Sequence, residues 1–273
     1  MRYTEVNEGS MERRYGGNRR QPMDTLAAFE FIKANCMQAY EGDPIYRGVT
    51  RGNTPGAKIV DPASAAPRGS ANTKSYFGIL MDNLPAWRAY PKRSKSLICS
   101  TSQRYAQAFG VVHRMFPVDG TAIGICRERD VWDSFHAGDV PRINEALVAL
   151  GREFLHKELS EVPGEFFAEV ELLTEHLDQI GGLERVPDSH ILKPLIKMSK
   201  RLGTNDLKTI LAKIVDPEEN DFKLVPIDNF VMIEGEREIW YSGKSVMLPK
   251  PLWGQLDHFI HLGLKPDNIA GSD

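Results

Sequence analysis

Three short segments of this 273-residue chain carry side chains suited to chemistry: Tyr46-Arg47-Gly48, Ser100-Thr101-Ser102 and Glu236-Arg237-Glu238. Arginine pairs with phosphate oxygens through two parallel N–H groups, and a row of hydroxyls orients other polar groups. A carboxylate stabilises positive charge as it develops at a sugar carbon. Together the three suit a substrate that joins a diphosphate to a cleavable glycosidic bond, as a dinucleotide does. Each also has a plain structural reading: an arginine salt bridge at a strand end, Ser and Thr paired on a surface strand, and alternating charges on an exposed strand face. Another Glu-x-Glu triplet, Glu169 and Glu171, falls in the middle of a predicted helix and reads as a solvated face.

The elements that must position these residues follow from periodicity. Asp24 is a predicted N-cap, and Leu26, Phe29, Ile32 and Cys36 share one face of a helix ending near Tyr40. A turn at Pro44 leads into a strand, Ile45 to Val49, which carries Arg47; Gly, Pro, Ala and Ser then make a long loop from Gly52 to Gly69. TKSYFGILMDNL is a predicted helix ended by Pro85. SKSLICSTS is a strand bounded by Pro91 and the charged Lys92 to Lys95, and VVHRMFPVDGTAIGIC is a hairpin turning at Asp119-Gly120.

Beyond this the pattern changes. Ile143, Leu147, Leu150 and Phe154, then Phe166, Val170, Leu173, Leu177 and Ile180, mark two amphipathic helices. Two shorter ones cover Ile191 to Leu202, with Pro194 in the opening turn, and Leu207 to Ile214. DFKLVPIDNFVMI and EREIWYSGKSVMLP read as β structure, and Leu252 to Leu262 is a final helix ending at Gly263. Strands, a helical block, then strands predict an α+β fold whose late strands complete sheets begun by the early ones.

Composition excludes several classes. Lys plus Arg number 34 against 37 Asp plus Glu, a net charge of −3, so nothing in the total points to DNA or an anionic membrane. No stretch is long and apolar enough to cross a bilayer, and the first residues lack the apolar run of a signal peptide, so a cytoplasmic location is expected. Cys36, Cys99 and Cys126 lack metal-ligand spacing and are expected to be reduced packing residues. Asp119, Asp130, Asp133 and His136 form a polar group best explained by turn and cap roles, and no metal is expected.

The order and context of the three segments resemble the arginine, Ser-Thr-Ser and Glu-x-Glu signature of the toxin-type mono-ADP-ribosyltransferases. The matching stretches are IYRGV, SLICSTS and GEREIWY, in which Glu238 precedes the apolar Ile239-Trp240-Tyr241; the aromatic helix ending in Trp87 to Pro91 also suits the family. Glu236, followed by Arg237, fits the catalytic position less well than Glu238. Arg47 and Ser100 are 53 residues apart, and Ser102 and Glu238 are 136 apart, an excess that a helical insertion explains.

The resemblance implies an ADP-ribosyltransferase-like split β-sandwich with flanking helices and a helical insertion. The expected division is a flexible basic arm over 1–22, a first part over 23–137, the insertion over 138–215 and a second part over 216–273. It implies NAD as a substrate: Arg47 holds its phosphates, Gly48 seats the nicotinamide through its backbone, and Ser100, Thr101 and Ser102 shape that pocket. Glu238 hydrogen-bonds the nicotinamide ribose and stabilises the oxocarbenium-like state, and Glu236 prepares the acceptor. The expected activity is a glycosyl transfer of ADP-ribose to a macromolecule, foremost protein arginine, with RNA as a further acceptor class. The competing readings are an NAD glycohydrolase using the same site and a non-enzymatic structural or interaction protein, such as a viral particle component. Ile227 to Gly235 would be the substrate-facing turn, with Phe230 either a target contact or a core residue.

Overall fold

Apolar residues alternate along the strands so that neighbouring side chains enter different cores. A computed structural model of the chain describes residues 19–50, 56–64, 74–135, 140–187, 190–230 and 234–263. These form two compact units. The first holds the described residues within Met1–Arg68, Tyr90–Arg129 and Lys223–Asp273, the second those within Gly69–Ala89 and Asp130–Phe222.

The first unit is built on strands β1 (Arg19–Pro22), β2 (Ile45–Val49), β3 (Lys58–Asp61), β4 (Leu97–Ser100), β5 (Val111–Pro117), β6 (Ala122–Ile125), β7 (Lys223–Pro226), β8 (Glu238–Tyr241) and β9 (Ser245–Pro249). They make one antiparallel sheet in the order β1-β3-β9-β5-β2-β4-β8-β6-β7. The late strands do complete the early sheet, since β9 pairs with both β3 and β5, and β8 with both β4 and β6. The sheet is nearly parted in the middle. β2 runs against β5 over its whole length, but meets β4 only at Tyr46↔Ser100.

Side chains from both sides of that division share a core: Val49, Val60, Met115 and Met247 pack with Leu97, Ile123, Ile239 and Tyr241. Their chain neighbours Phe116, Val246 and Leu248 face the other way. They meet Ala28, Phe29 and Ile32 of α1 (Thr25–Asn35) and Leu256 and Phe259 of α9 (Trp253–Leu262).

Several expectations need correction. The stretch 19–22 is not part of a free arm: it pairs with β3, Arg19 opposite Asp61, while residues 1–18 lie outside the described residues. The first helix is broken at Cys36, whose backbone (φ −135°, ψ 27°) leaves the helical region, so a short α2 (Met37–Glu41) follows α1. The expected loop over 52–69 contains β3, too short at four residues to show alternation amid Gly and Pro. The turn at Asp119-Gly120 forms, with Gly120 at φ +78°, but it closes no hairpin. Its strands pair elsewhere, β5 with β2 and β9, β6 with β7 and β8. Gln38 of α2 holds the turn instead, donating its N–H to Asp119 Oδ1 (2.9 Å) and accepting from the Gly120 N–H (2.8 Å).

The second unit comprises α3 (Tyr76–Asn83), α5 (Val140–Leu155), α6 (Pro163–Ile180), α7 (Lys193–Leu202) and α8 (Leu207–Ile214). α6 opens with Pro163, whose missing N–H costs nothing there, and ends at left-handed Gly181 (φ +86°). Its Phe166, Val170, Leu173 and Leu177 are wholly buried, as the spacing requires. α3 packs with these helices: the Tyr76 ring stacks on Phe166 at 5.3 Å and its hydroxyl donates to the Leu159 carbonyl. The helical unit therefore takes in a segment earlier than the expected 138–215. Among the described residues no helix is long and apolar enough to cross a membrane.

Candidate functional site

Each of the three singled-out segments has residues on one of three neighbouring strands, β2, β4 and β8. Tyr46 of β2 pairs with Ser100 of β4, and Ser100 pairs with Glu238 of β8. Directly opposed residues on antiparallel strands have neighbouring side chains on one face, so Ser100 and Glu238 stand side by side. Glu238 is fixed in the sheet by its own backbone, donating to the Glu128 carbonyl (3.0 Å) and accepting from the Cys126 N–H (2.8 Å).

Only Ser100 of the Ser-Thr-Ser run belongs to the strand, which corrects the expectation that all three do. Ser102 caps α4 (Gln103–Gln107), accepting from the Tyr105 N–H at 3.1 Å. Its hydroxyl donates to Glu236 Oε1 at 2.7 Å, and its N–H donates to Ser100 Oγ at 3.0 Å. Thr101 faces the other way: its hydroxyl donates to the Gly235 carbonyl (3.1 Å) and accepts from the Arg237 N–H (2.8 Å). Thr101 thus clips the Glu-x-Glu stretch to the end of β4. β8 begins at Glu238, so Glu236 precedes the strand, yet both glutamates meet serines of matching spacing. Glu236 is exposed and Glu238 is 8% exposed.

Arg47 shares a strand face with Ile45 and Val49, the face opposite that of Tyr46, Ser100 and Glu238, so the structure does not bring its side chain beside Glu238; it is 9% exposed. Its Nη1 donates to the Ile98 carbonyl of β4, and its Nε is buried without a hydrogen-bond partner. Among the described residues it makes no ion pair with a carboxylate. Nearby Tyr241 is wholly buried, and burial pushes its hydroxyl well above the usual range, so it stays neutral beside the arginine. A nearly buried cation without a counter-charge is costly, and an anionic ligand relieves that cost. Gly48 is required by close packing: a Cβ there would stand 2.0 Å from the Ala106 carbonyl oxygen and 2.8 Å from Phe109 Cβ.

The surroundings of Glu238 include groups the sequence did not single out. Arg93 Nη1 lies 2.6 Å from Glu238 Oε1, and the Cys126 thiol donates to the same oxygen at 3.8 Å. Arg93 stands in the basic run Lys92 to Lys95 ahead of β4, which reads only as a charged strand boundary. Phe230 is a core residue, 0% exposed among the strands, and not a target contact; residues 231–233 lie outside the described residues.

Asp119 and Asp130 serve turns, Asp130 Oδ1 accepting from the Trp132 N–H at 2.9 Å, while His136 lies outside the described residues. Among the described residues no three metal-ligating side chains gather, and all three cysteines are buried free thiols. Compared with known family models, curated proteins and solved structures, the chain matches none.

Proposed function

We propose that this chain is a mono-ADP-ribosyltransferase of the toxin type, which cleaves NAD at its nicotinamide ribose bond and passes ADP-ribose to a protein arginine. One observation carries this reading: segments separated by 53 and 136 residues of sequence meet as the adjacent strands β2, β4 and β8, in the file Tyr46, Ser100, Glu238. A salt bridge, a surface strand and a solvated face arising independently give no reason for that convergence.

In this reading Glu238, ionised, faces the anomeric carbon and lowers the energy of its cationic transition state more than that of the neutral ground state. The bond from that carbon to the nicotinamide nitrogen breaks, and its electron pair leaves with nicotinamide. A guanidinium nitrogen of the acceptor forms the new bond, and its proton passes to Glu236, whose exposed carboxylate is held by Ser102. Ser100 and Ser102 shape the pocket beside the two acids.

The direct test is incubation of the full chain and a cell lysate with isotopically labelled NAD, followed by mass spectrometry. Label on arginine side chains together with free nicotinamide is expected. Neither product nor saturable NAD binding would defeat the proposal, and nicotinamide release unaccelerated by any acceptor would convert it to a glycohydrolase.

Two variants divide the roles further. Arg47→Ala should raise the KM for NAD about 10- to 100-fold, the worth of a charge-assisted contact to phosphate, with the smaller change in kcat; initial rates over a range of NAD concentrations check this. Glu236→Gln should lower arginine transfer by about 100-fold, the usual contribution of a positioned base, while NAD hydrolysis falls much less. Equal losses in the two assays would remove Glu236 from acceptor chemistry.

A further inference from the structure

Resting on the transferase reading above, we propose that Arg93 is the positioning residue of this site, holding Oε1 of Glu238 so that Oε2 is the oxygen presented to the substrate. The two side chains stand 2.6 Å apart and are only 17% and 11% exposed. The Nη1 hydrogens are not aimed along that line, so attraction of opposite charges holds the pair more than an aligned hydrogen bond does. Cys126 approaches the same oxygen.

Arg93 is itself held in place. Its guanidinium carbon lies 5.8 Å from the centre of the Trp240 ring. The indole donates from Nε1 to the Pro91 carbonyl at 2.8 Å, and the Tyr90 ring stacks on it at 6.1 Å and 16°. The indole also packs against Gly124, where a Cβ would stand 2.4 Å from the ring. Trp240 lies two residues beyond Glu238 on the same face of β8, so one strand presents both the carboxylate and the platform for its partner.

A cation beside Glu238 weakens the negative field felt at the sugar carbon. Arg93 therefore serves the reaction through orientation, and the sign of its effect separates the two contributions. Loss of orientation slows the chemical step; relief of the opposing charge, if dominant, quickens it.

The experiment measures steady-state NAD cleavage by the full chain as wild type and as Arg93→Ala, Arg93→Met and Arg93→Lys. In the Ala and Met variants kcat should fall about 10- to 100-fold, as expected for a misplaced reacting group, with KM for NAD within about twofold because ground-state binding is untouched. Arg93→Lys should keep most of the rate. Added guanidinium ion should restore part of kcat to Arg93→Ala while equal urea does not, a response that a purely structural arginine lacks. Should Arg93→Ala fail to fold, Arg93→Met keeps the aliphatic stem on Trp240 and carries the comparison. An unchanged or raised kcat in Arg93→Met overturns the assignment, as does a raised KM with kcat kept, which would place Arg93 on the substrate itself. If wild type turns over NAD and Arg93→Met equals it, this assignment alone fails; if wild type releases no nicotinamide, the transferase reading fails and takes this assignment with it.

Discussion

Glu238→Gln is expected to abolish ADP-ribose transfer, lowering nicotinamide release by about 100- to 1,000-fold or more, the scale of removing one preorganised group from a charge-developing site. The amide keeps the size and an acceptor oxygen but not the charge, so the cationic sugar carbon loses its stabilisation while packing is nearly conserved. The ion pair with Arg93 adds a stability cost, because the guanidinium loses its counter-charge in a largely buried setting. About 1–3 kcal/mol of destabilisation is expected, the cost of an unsatisfied polar group, visible as a lowered urea midpoint. Rates are therefore compared per folded protein. Full turnover in this variant rejects Glu238 as the catalytic carboxylate of the site.

Gly48→Ala should be strongly damaging to the first unit. The added carbon would stand 2.0 Å from the Ala106 carbonyl oxygen, a backbone atom of α4 that no side-chain rotation removes. Either β2 must move away from α4 or the helix must shift, at a cost of about 3 kcal/mol, the upper range of overpacking. Because Arg47 precedes it, the same displacement should raise KM for NAD. Gly78→Ala is the control: nothing lies within 4 Å of a Cβ there, inside α3, and a gain of about 0.5–1 kcal/mol in helix propensity is expected. Denaturant unfolding of the two variants gives the comparison, and equal stabilities would contradict the tight β2 to α4 contact.

Much of this arrangement was legible from residue order. Long elements with several buried positions announced themselves, as α6 does through Phe166, Val170, Leu173 and Leu177. The strand carrying Arg47 was found with its bounds because Pro44 and the β-branched ends define it. What sequence periodicity cannot carry is pairing between distant segments. Nothing local in Val111–Pro117 says that its partners are β2 and β9, so a good turn signal at Asp119-Gly120 suggested a hairpin that does not exist. β3 was hidden because four residues give two inward positions, too few for a pattern. Arg93 was hidden for another reason: in Lys92 to Lys95 only the fold decides which cation turns inward.

The interleaving of late strands with early ones has a consequence for synthesis. β8 and β9 fill places between strands made more than a hundred residues before, so a ribosome that has reached Phe222, with β7 also still to come, has produced five strand flanks with no neighbour to bond. The helical unit, complete by that point, can already consolidate from local contacts, while the sheet waits for the last fifty residues. Until they emerge, nascent chains expose edges prone to mispairing, and a premature stop in this region leaves a product for the cell's quality control.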